Sequence, residues 1–562
     1  MSSGRMVQEK GRARGLPKGR QVDETSLAEI RTLLQDRDLR RDLLIEHLHL
    51  VQDRYGHLAK RHLAALAEIM RLPMAEVYEV ATFYAHFHVA EDDQPAPPAL
   101  VRICGGPCCR MAGSAELAAR TAERLGADGQ VEVAPCIGRC DRAPAATVTK
   151  PGGAFALVDG QDAEGIVQTL RSLQPLPETL PPATLDAYRA KGGYLLLHDC
   201  LTGRRSRDSV LDALDAGGLR GLGGAGFPTG RKWRAVLGQP GPRLMAVNAD
   251  EGEPGTFKDR HLLSTDPHRV LEGMLIGAWM VEAKDVYIYL RDEYPDLHRN
   301  LRAEIAAVTE AGLAPDVRIH LRRGAGAYVC GEESSMIESL EGKRGLPRHR
   351  PPLVAEKGLF GHPTLVNNVE TLWWVRAAIE TPERYGKVPL RFYSVSGRVA
   401  EPGVKLAPAG VTMRELIEEH CGGMAPGHEF RAYLPGGASG GIFPASLGDL
   451  PMDFGSFQPH GGFIGSAGVM VLSQQDDLKA LAVELTRFFA EESCGQCTPC
   501  RIGTHKAVDL LSRPDWDADL LEELGQVMAD GSICGLGQAA PNVWRTLMRH
   551  FPQEFERKEM AL

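Results

Sequence analysis

The sequence predicts a multidomain α/β chain, and three observations carry that expectation. With 562 residues, it is longer than a single hydrophobic core usually organises. Its 43% hydrophobic content is enough to fill several cores. Short proline-rich and acidic stretches separate segments of helical period from segments of strand period. The net charge of −9 argues against a general nucleic-acid binder. No apolar run is long enough to span a bilayer, and the charged N-terminus lacks the apolar core of a secretory signal, so a cytoplasmic chain without membrane insertion is expected. Most of its 12 cysteines fall into tight motifs, which favours metal binding in a reducing compartment over disulfides.

Residues 1–22 form a basic tail; its first 20 residues hold six Lys or Arg against the single acid Glu9. Such a run reads as a solvated tail, or as an arm for an acidic partner. Residues 23–92 read as helical throughout, with Leu43, Leu44, His47, Leu48, Leu50 and Val51 at three- and four-residue spacing. The aromatics of Ala81–Phe87 are expected in its core. A Pro/Asp-rich boundary follows at Glu91–Pro98.

In residues 98–173 a strand at Leu100–Ile103 runs into Cys104-Gly-Gly-Pro-Cys-Cys109. A helix (115–125) and a strand (131–133) then lead to Cys136-Ile-Gly-Arg-Cys140. Two cysteine pairs, each on a loop after a strand, can enclose a [2Fe–2S] cluster. Structural zinc is the alternative, although its pairs prefer two-residue gaps and these are wider.

After a proline-rich linker (174–192), residues 193–386 carry four loops of one kind. Gly217–Trp233 contains a GxGxxG match at Gly221, Gly223 and Gly226, closed by Lys232. Glycine lets backbone N–H groups approach a phosphate. The preceding segment reads as a helix, not the strand that the ordinary dinucleotide fingerprint requires. Val247–Pro254, Gly324–Glu333 and Pro363–Glu370 supply acids, amides and further glycines. Residues 387–473 read as short strands and turns. Within them Cys421 is expected to be structural, and Pro435-Gly-Gly-Ala-Ser-Gly-Gly441 is read as a turn because no lysine or helix follows. Residues 474–562 are helical. Their Cys494-x2-Cys497-x2-Cys500 run with the remote Cys534 is a strong signal for a [4Fe–4S] cluster. Zinc, which usually takes two pairs, fits less well.

From Gly193 to Phe555 these motifs closely resemble the flavin- and NADH-binding subunit of respiratory complex I. Residues 98–173 resemble its thioredoxin-like [2Fe–2S] subunit, joined here in one chain. The resemblance implies a Rossmann-like FMN- and NAD(H)-binding domain, a small β-grasp-like (SLBB-type) domain and a C-terminal helical bundle. The family spacing C-x4-C…C-x3-C implies Cys104, Cys109, Cys136 and Cys140 as ligands, with Cys108 an extra thiol beside them. By the same resemblance Gly221, Gly223, Gly226 and Lys232 contact FMN, and Phe227 lies against the nucleotide. Asn248, Asp250 and Glu251 hold the flavin, Glu253 recognises NADH, and Tyr328 and Gly331 enter the same pocket. Glu332 and Glu333 approach flavin and nicotinamide as the catalytic pair, and Val366, Asn367 and Asn368 complete the cradle. Cys330 matches no ligand and is expected to be a small buried residue. Leu353 stands where relatives commonly carry a phenylalanine able to stack on adenine.

Pro17–Asp23, Arg41–His49, Tyr287–Tyr294 and Gly345–His349 look like the β subunit of NAD-dependent formate dehydrogenases. That resemblance implies a diaphorase working beside an iron–sulfur α subunit that oxidises formate at a molybdenum or tungsten bis-pterin. The alternatives are the diaphorase of an NAD-reducing hydrogenase or a complex I flavoprotein. A zinc-stabilised binding module is the non-enzymatic reading.

Overall fold

In the computed structural model, residues 20–174 and 184–555 are described. The expectations for residues 1–19 and for the proline-rich stretch Pro175–Pro182 lie outside them. Among the described residues, four sheets divide the chain.

Asp23 opens the N-terminal segment by accepting from the Ser26 N–H at 2.8 Å, capping helix Glu24–Leu34. Helices Leu44–Tyr55, Lys60–Met70 and Met74–Phe83 bury Leu44, Leu48, Val51, Leu63 and Leu66 against it. The segment is not helical throughout, because Leu58–Ala59 pairs in parallel with Val89–Ala90. Tyr84 and Phe87 are buried in this core, as expected of them.

The thioredoxin-like sheet places Leu100–Cys104 between Gln130–Ala134, parallel to it, and Ala145–Lys150, antiparallel; Ala154–Asp159 forms the edge. Val101, Ile103 and Val148 pack with Leu117 of helix Ser114–Leu125 and Ile166 of helix Ala163–Ser172. Both cysteine pairs follow strands, so the sheet delivers them to one end.

The next sheet is fully parallel, in the order Thr364–Asn368, Leu244–Ala249, Asp285–Leu290, Arg318–Arg323. Parallel sheets need cover on both faces, and their strands read as continuous apolar runs. Helices Pro267–Val281 and Val369–Glu380 supply part of that cover and cross where Gly273 meets Leu372. Ligands in such folds bind beyond the carboxyl ends of the strands. Three of the four predicted loops emerge there. The fourth, with the GxGxxG match, joins helices Arg207–Gly217 and Thr229–Leu237, confirming that a helix precedes it.

The β-grasp-like domain is a five-stranded mixed sheet in which Leu390–Gly397 runs parallel to Gly468–Ser473 and antiparallel to Gly403–Pro408. Cys421 is buried within it. Helices Leu478–Glu491, Thr498–Leu511, Ala518–Gly531 and Asn542–His550 close the chain. Fully buried Trp544 ties the last to the third by donating to Leu521 O at 3.1 Å. Among the described residues no helix is long and apolar enough to cross a membrane.

Candidate functional site

A cavity of about 450 Å³ opens where the parallel sheet, the β-grasp-like domain and the C-terminal bundle meet. Of the predicted site residues, Gly223, Asn248, Glu251, Glu253, Tyr328 and Gly331 line it, together with Glu332 and Asn368. The wall is tied together across loops. Asn248 donates to Gly331 O at 2.8 Å, and Asn368 donates to Asp259 Oδ2 at 2.6 Å. A Cβ on Gly223 would stand 2.9 Å from Asn368 Cβ, so this close approach requires glycine.

The acids divide by role. Glu253 accepts from the Ser439 N–H and Oγ on one oxygen and from the Tyr328 hydroxyl on the other. Burial raises its pKa. Glu251 accepts from the N–H groups of Asp259 and Arg260, at 2.6 and 3.0 Å, and from Tyr294 Oη. Burial first, then the Asp259 charge, pushes it up to about 7. The Glu332 carboxylate caps helix Glu333–Leu340 through Ser334 N and Ser335 N and pairs with Arg350.

The other predicted residues stand behind or beside the cavity. Gly221 and Gly226 close the glycine turn, Gly221 N donating to Phe227 O and Gly226 N to Gly221 O. Phe227 is exposed on the surface. Lys232 donates to Val366 O at 3.1 Å and pairs with Glu333, while Asn367 accepts from Trp233 Nε1. Asp250 turns into a separate small void together with Cys136, Arg291, Tyr328 and Glu492, where its Oδ2 has no hydrogen-bond partner.

Sequence reasoning missed several wall residues. Lys258, wholly buried, lines the cavity and pairs with Asp259 and Glu370, each at 2.9 Å. Burial opposes its charge, but these carboxylates keep its pKa raised. Gly436 and Ser439 belong to the loop read as a mere turn; its glycines allow it to roof the cavity, and that composition was the available signal. Asn542 joins them by donating to Ser439 O.

All four cysteines of the C-terminal motif line one small void, and Cys534 also lines the large cavity. Burial pushes Cys500 up to about 12 and Cys534 up to about 11, with neighbouring thiols adding to both. Four cysteines gathered on one void can hold iron as thiolates, and the set fits a [4Fe–4S] cluster. In the thioredoxin-like domain, Cys104 lies within hydrogen-bond reach of Cys109 and Cys136, and Cys136 Sγ stands 3.5 Å from Cys140 Sγ. These four fit a [2Fe–2S] cluster. Cys108 lies against Ser396 Oγ at 3.3 Å and within reach of Cys140.

Two contacts join that cluster site to the cavity wall. Gly255 N donates to Cys140 Sγ at 3.3 Å. Arg291 donates from one nitrogen to Cys136 O at 2.6 Å and from another to Glu251 O at 2.7 Å. Cys330 is fully buried, as expected of it.

Comparison with known proteins agrees with this division. Family models match residues 30–173 as a thioredoxin-like [2Fe–2S] ferredoxin and residues 214–377 as a Nuo51 FMN-binding domain. Others match residues 392–443 as an SLBB domain and residues 480–558 as the iron–sulfur binding region of NADH-ubiquinone oxidoreductase-F. The second NADH-quinone oxidoreductase F subunit of Rhizobium meliloti is 40% identical over 393 residues, covering 66% of this chain and 93% of the relative. The F subunit of Aquifex aeolicus is 39% identical over 399 residues, covering 66% and 91%. A chain of the NAD+-reducing [NiFe]-hydrogenase in its H2-reduced state superposes with a TM-score of 0.79 at 31% identity, covering 92% of this chain and 94% of that one.

Proposed function

We propose that this chain, which belongs to the family of NADH-quinone oxidoreductase F subunits as an NADH-binding flavoprotein with [2Fe–2S] and [4Fe–4S] domains, is the NAD(H)-handling β subunit of a formate dehydrogenase, a finer reading that rests on the resemblance of its sequence runs and not on the family. The coarser activity, a diaphorase subunit of the complex I and NAD-reducing hydrogenase type, follows from the family. One observation carries the electron route: Cys534 lines both the large cavity and the four-cysteine void. A group held at that end of the cavity would lie against a cluster ligand.

Bound FMN exchanges electron pairs with nicotinamide and single electrons with iron–sulfur centres. The chain's own residues position and insulate. Gly223 and Gly331 allow close backbone approach, and Asn248 and Asn368 offer amide groups at the wall. Carboxylates do not bind phosphate directly, so Glu253, held by Ser439 and Tyr328, suits sugar hydroxyls or a carboxamide. Lys258 stands at the same wall with its charge taken up by Asp259 and Glu370.

The Arg41–His49, Tyr287–Tyr294 and Gly345–His349 runs favour a formate-oxidising partner with a molybdenum or tungsten bis-pterin. The near full-length match to the NAD+-reducing hydrogenase chain favours the second reading, a hydrogenase partner. Purifying the chain with its native partners separates them. Formate-dependent NAD+ reduction with molybdenum or tungsten supports the proposal; hydrogen-dependent reduction with nickel overturns it. The diaphorase activity has its own test, since the FMN-loaded chain alone should reduce one-electron dyes with NADH.

A further inference from the structure

Farther along the parallel sheet's carboxyl edge, the N-terminal segment packs against the loops after strands Asp285–Leu290 and Arg318–Arg323. It brings His49 and His86 onto Asp292, and the potential ligand atoms of the three lie within 4.8 Å of one another. Their side chains are 3%, 14% and 5% exposed. Neither the flavin cavity nor the cysteine sites use them.

The hydrogen bonding of this cluster is incomplete. His49 Nε2 meets Gly324 O at 2.8 Å, and a carbonyl only accepts, so Nε2 carries the proton. That leaves a lone pair on Nδ1, which is buried, has no hydrogen-bond partner and points towards Asp292 Oδ1 at 3.9 Å. Metal-binding histidines are commonly oriented this way, donating the distal N–H to a backbone carbonyl. His86 Nδ1 faces conflicting demands: it pairs with Asp292 Oδ2, which only accepts, and stands 3.3 Å from Arg102 Nη1, which only donates. One ring nitrogen cannot serve both.

We propose that His49 Nδ1, His86 Nδ1 and Asp292 Oδ2 form a binding site for a divalent first-row transition cation, with Zn²⁺ the cation that fits best. Two imidazoles and a carboxylate with a fourth position for water is a donor set that zinc accepts. The cation replaces the proton between His86 and Asp292, releasing it to solvent, and uses the idle lone pair of His49. Access is through a cleft of about 760 Å³ that His86 and Asp292 line.

The guanidiniums beside the cluster are themselves paired with carboxylates. Arg323 pairs with Asp292 Oδ1 and with Asp53 at 2.8 Å, and Arg102 stands 3.7 Å from Glu132. The cleft as a whole carries seven Lys or Arg against five Asp or Glu, so the ion would be held by direct ligation from Asp292 and the two imidazoles and not by the field of the cleft. Backbone bonds hold the frame, with Ala85 N and His86 N donating to Gly326 O and Ala325 O. The ion would thus join the N-terminal segment to the flavin-type domain.

The test uses the holoprotein with both iron–sulfur sites full, because empty thiolate sites also take zinc. After equilibration with Zn²⁺ and desalting, about one zinc per chain is expected, with an anomalous peak at the zinc edge between these three side chains. His86→Gln and Asp292→Asn, each close in shape, should weaken Zn²⁺ binding by more than about 100-fold while retaining the iron. Iron-replete wild-type protein with no zinc peak at this position would overturn the site and leave a protonated His86–Asp292 pair. Unchanged zinc content in both variants would overturn it too.

Discussion

Ser439 donates twice to the same oxygen of Glu253, from its backbone N–H at 2.8 Å and from its Oγ at 2.9 Å. A loop of the β-grasp-like domain thereby orients a carboxylate of the flavin-type domain, while Tyr328 holds the other oxygen. The approach depends on Gly437, whose φ of +75° and 2.5 Å Cβ distance to Glu253 Cγ exclude a side chain. Under the role proposed for Glu253, Ser439→Ala removes one of the two bonds, worth about 1 kcal/mol. NADH KM should rise about fivefold with kcat nearly unchanged, and Ser439→Thr should restore it. Steady-state kinetics with a dye acceptor decide; an unmoved KM would leave Ser439 without influence on the site.

This loop also shows what was legible in the sequence. Cysteine spacing is a local pattern, so both cluster motifs could be read directly, whereas Asn248, Glu253 and Gly331 were picked out by the family resemblance of their loops. The Gly436–Ser439 roof becomes part of the site only through packing between domains distant in sequence, and Lys258 through its pairing with Glu370 far along the same domain; no local period records either. The same cause separates the predicted residues. Asn248 and Asp250 are two positions apart on one loop, yet Asn248 faces the cavity and Asp250 a separate void. The short Leu58–Ala59 strand was hidden because its partner, Val89–Ala90, lies 31 residues on, beyond any helical window.

Gly273 is where two helices of the flavin-type domain touch. A Cβ there would lie 2.0 Å from Leu372 O, a backbone atom that cannot rotate away. Gly273→Ala should therefore destabilise the domain by about 1–3 kcal/mol, although alanine favours helix. Thermal unfolding should show a lower Tm and earlier flavin release. An unchanged Tm would mean that the crossing relaxes freely.

Glu251 links stability to pH. Its folded pKa of about 7 lies above the ordinary 4.5, chiefly through burial. The folded state therefore binds the extra proton, and this group's contribution is complete below the unfolded value. It fades as pH rises through about 7, with an upper bound of about 3 kcal/mol. Glu251→Gln should flatten the fall in Tm between pH 5 and 8 relative to wild type. Parallel pH profiles would show that Glu251 does not titrate in this window.

Cys109 and Cys108 differ in surroundings although they are adjacent. Cys109 packs with Cys104 and Ile137, whereas Cys108 turns to Ser396. Cys109→Ser should abolish or strongly perturb the reduced [2Fe–2S] EPR signal, and Cys108→Ser should leave it in place with altered g-values, because its thiol borders Cys140. Loss of the signal in Cys108→Ser alone would reverse the assignment.

Glu333 was expected beside the nicotinamide, where a free carboxylate would favour NAD⁺ over neutral NADH. Its oxygens instead stand 3.4 Å from Lys232 Nζ and 3.4 Å from Arg350. Glu332 shares Arg350, so two carboxylates face two cations and the local sum is zero. A neutral cluster exerts little net force on a charge at nicotinamide distance, since the opposing Coulomb terms cancel to first order. Glu333→Gln leaves this cluster with one positive charge over, which repels cationic NAD⁺ but not neutral NADH, so NAD⁺ affinity should fall relative to NADH affinity by about twofold, a small effect because these partly exposed cations are screened by water. Any common change should favour binding, because Lys232 and Arg350 would be freed towards the nucleotide phosphates. Titrating both nucleotides against the flavin-loaded variant tests this directly. A loss confined to NAD⁺, about fivefold or more, corresponds to about 1 kcal/mol of charge-specific attraction and would show that the carboxylate acts on the nicotinamide despite its two partners.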